Sequence, residues 1–196
     1  MNCQTIIKSM GWCQGKTVKP GIRRRVFGIS ADQVLKWPQI QRDELGRVIS
    51  SLLKGNFELV EGAFWSVIEH IPNKAEFKSE TQGEYPSQSF KVSASLVHPG
   101  VGPEAADATA SFLNVNAIFI VEDMDGNFRV IGSDDYDSVV TSSRDNGQGP
   151  TGTAGTTISI EASMDVDAPF YIGAIETEDG TVQGPAPAGP SSPGGL

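Results

Sequence analysis

The stretch Ser142 to Asp165, SSRDNGQGPTGTAGTTISIEASMD, contains Gly147, Gly149 and Gly152 at the G-x-G-x-x-G spacing that lets a backbone approach a dinucleotide pyrophosphate. That chemistry needs a strand before the first glycine and a helix after the last, because the helix N-terminus holds the phosphate charge. Polar TSSRDN precedes Gly147, and β-branched, alternating TAGTTISIEA follows Gly152. No lysine stands where a phosphate-binding P-loop requires one. The stretch therefore reads as a glycine-rich loop entering a strand. Long loops inside compact domains are uncommon unless they work, so Gly147, Gly149, Gly152 and Gly155 are assigned to an inter-subunit loop.

Other residue groups carry weaker chemical signals. Asp123, Asp125 and Asn127 stand at the 1, 3 and 5 spacing of an EF-hand, but positions 6 and 12 are Phe128 and Asp134 rather than Gly and Glu. Asp125-Gly126 between two apolar runs is a hairpin signal instead. Asp134, Asp135 and Asp137 could hold a divalent cation or act as an acid pair, and His98 could serve them as a general base. Directly after a strand, these acids read more simply as a solvated turn. Cys3 and Cys13 allow a disulfide, half a metal site or two idle thiols; the only histidines, His70 and His98, are distant in sequence, so idle thiols are preferred. Consecutive Arg23, Arg24 and Arg25 on a strand point to both faces and make no focused phosphate patch. Trp12, Trp37 and Trp65 read as core or interface anchors; alternatively Trp12, Trp65 or Tyr136 could serve as a platform for a glycan or protein ligand. No catalytic, cofactor or metal site is assigned, and the chain is not expected to be an enzyme.

The elements that position these residues are mostly strands. Residues 1–20 look irregular, Arg23 to Ile29 extended, and Ser30 or Asp32 opens a short helix or turn that ends before Pro38. Leu45 to Leu53 fits helix or strand, and strand is preferred. The runs around TQGEYPS alternate, with Ala75, Phe77 and Ser79 opposite Glu76, Lys78 and Glu80, and Phe90, Val92, Ala94 and Leu96 opposite Lys91, Ser93 and Ser95. They predict a long antiparallel hairpin. Pro103 opens the best helix candidate, which runs through alanines to Leu113. Ala117–Val121 and FRVIG flank the Asp125-Gly126 turn, a long loop follows, and strands are expected at Thr156–Ala162 and Pro169–Ile175.

With 196 residues, 22 Gly and 12 Pro, the chain suits one β-rich domain with many turns. No apolar run is long enough to span a bilayer, so membrane insertion is not expected and the chain reads as soluble, without a secretory signal. Net charge is −9, unevenly spread: residues 1–54 hold 10 Lys or Arg against 3 acids, and residues 122–196 hold 2 against 13. That polarity favours head-to-tail contact between copies, and the acidity argues against ordinary nucleic-acid binding. Residues 1–54 are expected to form a basic segment within or packed on the main domain. Residues 55–182 form the β-sandwich core, and 183–196 an extended Pro/Gly-rich tail.

The succession NFELVEGAFWSVIEH, AEFKSETQGEYPSQSFKVSASLV, PEAADATASFL, AIFIVEDMDGNFRVIGS and GTTISIEASMDVDAPFYIG, over roughly residues 55–175, resembles the tail tube proteins of tailed phages, particularly those of Bacteroidetes hosts. The resemblance implies a mainly β fold, an antiparallel two-sheet sandwich or barrel-like domain with one flanking helix and long loops. It also implies six copies per ring, rings stacked into a conduit for double-stranded DNA, contacts with other tail or neck proteins, and a place in the virion after synthesis in the host cytoplasm. A neck ring, a capsid decoration protein and a carbohydrate- or protein-binding sandwich are the alternatives.

Overall fold

Whether a strand alternates or is apolar throughout decides which sheet it joins. In a computed structural model, which describes residues 7–185, the chain starts with β1 (Ile22–Ser30), a single 3₁₀ turn at Ala31–Gln33, β2 (Val34–Lys36), β3 (Gln39–Arg42), β4 (Val48–Lys54), β5 (Glu58–Leu59) and β6 (Ser66–Glu69). The long hairpin β7 (Glu76–Gln82) and β8 (Ser89–His98) follows, then α1 (Pro103–Ser111), β9 (Ala117–Asp123) and β10 (Phe128–Ile131). A second long hairpin, β11 (Ser138–Asp145) and β12 (Gly155–Met164), leads to β13 (Phe170–Tyr171), β14 (Ile175–Thr177) and β15 (Gly180–Val182).

A seven-stranded sheet of order β3-β4-β13-β10-β9-β1-β6 packs on a four-stranded sheet of order β11-β12-β8-β7, and two-stranded ribbons β2-β5 and β14-β15 complete the set. Pairing is antiparallel except where Phe170 of β13 lies parallel to Leu52 of β4. The mainly β, sandwich-like architecture with one helix is as expected; the sheets stay separate and no barrel closes within the chain.

The central strands of the seven-stranded sheet are buried on both faces. On one side Val26, Phe119, Val121 and Ile131 meet Val92, Leu96, Ile158 and Ile160 of the four-stranded sheet. On the other, Phe27, Ile118, Ile120 and Val130, with Leu53 and Tyr171 of the same sheet, lie under Val34, Phe57 and Trp65. That second cover makes a third layer, and it explains why β9 is apolar without alternation: each of Ala117 to Val121 faces a core. Phe57 ties the cover together, its ring centroid 5.7 Å from Trp37, 5.3 Å from Trp65 and 5.2 Å from Tyr171. Gly28, opposite Phe119 in the β1–β9 pairing, makes room for that ring, since a Cβ there would lie 2.9 Å from Phe119 Cε1.

Several expectations are corrected. The supposed loop from Ser142 to Thr156 is mostly hairpin: Ser142 to Asp145 belong to β11 and pair with β12 from Ile158 to Gly155. Only Val139 and Val140 give β11 an apolar signal, because its outer side is bare, so the sequence there looks like a loop. Pro169–Ile175 is not one strand but short β13 and separate β14. Ser30 caps nothing with its side chain, and strand β2 follows the turn directly. The basic N-terminal segment, expected within or packed on the main domain, contributes β1, which lies between β9 and β6 inside the larger sheet. Cys3 and residues 186–196 of the expected tail lie outside the described residues; Cys13 is a free, exposed thiol.

Candidate assembly surface

The sequence's chemical candidates do not converge. Asp123 spends its carboxylate on the β9–β10 turn, accepting from the Asn127 backbone N–H at 2.8 Å and from its side-chain amide at 2.9 Å. The hairpin expectation holds there. His98 Nδ1 lies 2.8 Å from the Glu69 carbonyl and lines a cavity beside α1 with Glu104 and Phe112, whereas Asp134 and Asp135 line a different cleft with Trp37 and Arg42. The general base and the acids that it could serve therefore stand in separate cavities. His70 is buried with neither ring nitrogen hydrogen-bonded, and burial pushes its pKa below the ordinary histidine value. Arg23 pairs with Glu122 at 2.8 Å, while Arg25 lies over the Phe27 ring. Trp65 is in the core, so the aromatic platform loses one of its members. Among the described residues, no group of three His, Cys, Asp or Glu could hold a metal, and no helix is long and apolar enough to cross a membrane.

The feature with no internal explanation is the four-stranded sheet. Its inner face is core, but its outer face carries Ser93 and Ser95 from β8, Thr157, Ser159 and Ser163 from β12, and Thr141 and Ser143 from β11. Registration sets these hydroxyls in rows: Thr141 opposite Ser159, Ser159 opposite Ser95. The lysines there are engaged by the chain's own acids, Lys91 with Glu161 and Lys78 with Glu76, both at 2.9 Å. Glu76, Glu80, Glu161 and Asp145 against Lys78 and Lys91 leave this face mildly acidic, so most of the chain's acidity resides elsewhere.

Both edges of that sheet are long and, among the described residues, unpaired. β7 offers seven residues and β11 eight, whereas the edges of the larger sheet, β3 and β6, have four each. Soluble proteins usually shorten, charge or bulge such edges, since unpaired N–H and C=O groups recruit other chains. β7 carries charge at Glu76, Lys78 and Glu80. β11 from Ser138 to Ser143 has no charge and no proline.

Gly147, Gly149 and Gly152 sit at the tip of the β11–β12 hairpin, and Gly155 is the first residue of β12, paired with Asp145. The tip folds on itself: the Gly147 N–H donates to the Asp145 carboxylate at 2.8 Å and the Gly152 N–H to the Gly149 carbonyl at 3.2 Å. Gly147 and Gly149 have φ of 76° and 66°, in the left-handed region that glycine adopts freely. A strand does precede Gly147, contrary to the sequence reading. A strand also follows Gly152, so no helix terminus faces the loop and the phosphate chemistry stays excluded. No known family model, curated protein or solved structure matches the chain.

Proposed function

We propose that the chain is a structural virion subunit that assembles into rings, six copies in each, which stack as a phage tail tube or tail-neck conduit through which DNA passes. The observation that carries this reading is the four-stranded sheet with two long unpaired edges. Its strands alternate in direction, β11 against β12, β12 against β8, β8 against β7. With four strands, the two edges run opposite ways. Rotating one copy onto the next about a ring axis sets β7 of one beside β11 of the other in antiparallel sense, so every junction repeats the pairing found inside the subunit. Six such sheets give about 24 strands, more than the 16–18 that already enclose a water-filled channel in porins.

The outer face suits a conduit wall. DNA adheres to proteins chiefly when free cations displace its counterions. Here the lysines are paired and the remaining surface is hydroxyl and carboxylate with Val97 and Val139 between them, so a sliding phosphate backbone finds little to hold it. In this reading no catalysis, cofactor or metal is involved, and the partners are further copies, other tail or neck proteins, and DNA bound without specificity.

Proline substitution on β11 tests the edge. Of Thr141→Pro and Ser142→Pro, one removes an N–H that bonds β12 and the other an N–H aimed outward. The variant that keeps native circular dichroism is expected to yield no rings in negative stain while the parent yields them. A parent protein that remains a monodisperse monomer at high concentration overturns the proposal.

A further inference from the structure

Residues 7–21 form an arm outside the sheets, its Gly21 carbonyl accepting from the Met124 N–H at 3.2 Å where it enters β1. They contain no strand or helix and are exposed throughout; Met10 is 100% and Trp12 74% exposed. A tryptophan left in water forfeits the burial that is its main contribution to stability. The arm carries Lys8, Lys16 and Lys19 and no acid, and its recorded side-chain contact is from Lys8 to the Ile49 carbonyl on β4.

The same hairpin, β3–β4, borders a cleft of about 210 Å³. Its walls include Trp37, Ile40 and Met164, and its rim carries Asp134, Asp135 and Asp165. Arg42 pairs with Asp165, while Asp134 and Asp135 form no ion pair among the described residues. The cleft is smaller than the roughly 300–1,000 Å³ of ordinary ligand pockets, a size for a side chain rather than a cofactor. Apolar walls with an acidic rim complement an apolar anchor flanked by lysines.

We propose that this cleft receives the 7–21 arm of a second copy, with Trp12 against the apolar walls and the arm lysines beside Asp134 and Asp135. In its own chain the arm leaves the cleft empty and Trp12 in solvent, although both border the same hairpin. A stretch of about 15 residues can reach up to roughly 50 Å when extended, enough to bridge adjacent subunits. Because the lysines are on the arm and the free acids on the cleft, the contact is head-to-tail, each copy giving an arm and receiving one. The inference rests on the self-assembly reading but not on the sheet edges, so each can fail alone.

Cys13, next to Trp12, supplies the probe. In a Cys3→Ser background a thiol-linked photo-crosslinker is placed on Cys13, and equal amounts of ¹⁵N-labelled and unlabelled protein are assembled together. Mixed-isotope crosslinks from Cys13 to peptides containing residues 37–42, 130–135 or 164–166 are expected. Trp12→Ala, exposed and so without effect on folding, is expected to lower their yield by about tenfold or more, as loss of a buried aromatic anchor does. Asp134→Lys with Asp135→Lys is expected to lower it too, with recovery when Lys16→Glu and Lys19→Glu are added. Same-isotope crosslinks alone, crosslinks elsewhere, or rings that form with none overturn the arm contact and leave the ring proposal standing. A protein that never leaves the monomer overturns both.

Discussion

The two large sheets solve opposite problems with the same kind of strand. The seven-stranded sheet is covered on both faces at its centre and ends in short β3 and β6, so its central strands have spent their surface within the subunit. The four-stranded sheet is covered on one face and ends in long β7 and β11. Stability is concentrated in the first and unsatisfied pairing capacity in the second. A chain that only needed to fold could have placed charge or proline along Ser138 to Ser143 as well as at Arg144 and Asp145, as edge strands generally do.

The sharpest way to break that contrast is to strike each sheet in turn. Phe119→Ala removes a fully buried ring from the seven-stranded sheet and is expected to cost about 3–5 kcal/mol. Ser159→Ala, on the outer face of the four-stranded sheet, is expected to change stability by no more than about 0.5 kcal/mol. Urea denaturation of both variants measures the difference, and equal costs would remove the distinction between the sheets. Next in size is Tyr171→Phe. The Tyr171 hydroxyl donates to the Ala174 carbonyl at 3.0 Å and accepts from the Phe57 N–H at 3.4 Å, beneath the third layer. Its loss is expected to cost about 1–3 kcal/mol, since buried partners are left unpaired. A cost near zero would mean that water reaches that layer.

This division also governs what the sequence reveals. β8 and β12 alternate cleanly because one face meets core and the other does not, and the β9–β10 hairpin is announced by Asp125-Gly126. β9 itself is readable as a strand but not as the centre of a three-layer stack, because a continuous apolar run says only that both faces are covered. β11 is illegible for the opposite reason: an exposed edge strand rich in Ser and Thr lacks the apolar period that marks a strand. The third layer is assembled from residues distant in the chain, Val34, Phe57 and Trp65, set over Tyr171 of the sheet, and no local pattern joins them. The acidic rim was visible as Asp134 and Asp135, but Trp37, Arg42 and Asp165 come from elsewhere. Exposure of the arm could not be read at all, since Trp12 in sequence looks like any core tryptophan.

A smaller effect, on the larger sheet alone, comes from pH. His70 continues β6, on the side of Ile68 by strand alternation, and its N–H bonds to the Arg24 carbonyl at 3.0 Å. Burial lowers its pKa, with backbone groups of Ile71 and Arg23 acting the other way. The unfolded chain takes up a proton near the ordinary value of about 6.5, while the folded chain resists until lower pH. The unfolded state therefore binds more protons in that window, and stability falls as pH drops below about 6.5. The loss levels off once the folded form protonates as well. Denaturation midpoints at pH 7.5 and 5.5 are expected to differ more in the parent than in His70→Phe, and equal differences would show that His70 is not the group responsible.

The smallest effect on stability, with the largest on assembly, is expected at the β11–β12 tip. The tip residues Asn146 to Ala154 are nearly all exposed, and their hydrogen bonds are local, from Gly147 to Asp145 and from Gly152 to Gly149. Replacing Gly147 to Ala154 by a two-residue Asn-Gly turn, with Asn146 also removed, keeps the Asp145–Gly155 pairing and uses a turn whose twist suits a hairpin. Few core contacts change, so the melting temperature is expected to stay within a few degrees of the parent, the range of surface changes. Glycines at Gly147 and Gly149, and the polar length between the strands, are more than a hairpin connection requires, which points to a contact made beyond the subunit. Rings that form but do not stack would locate that contact between rings, and a variant without rings would locate it within one. Full-length tubes from the shortened hairpin would reduce the tip to a connector and leave the four-stranded sheet's edges as the whole of the assembly surface.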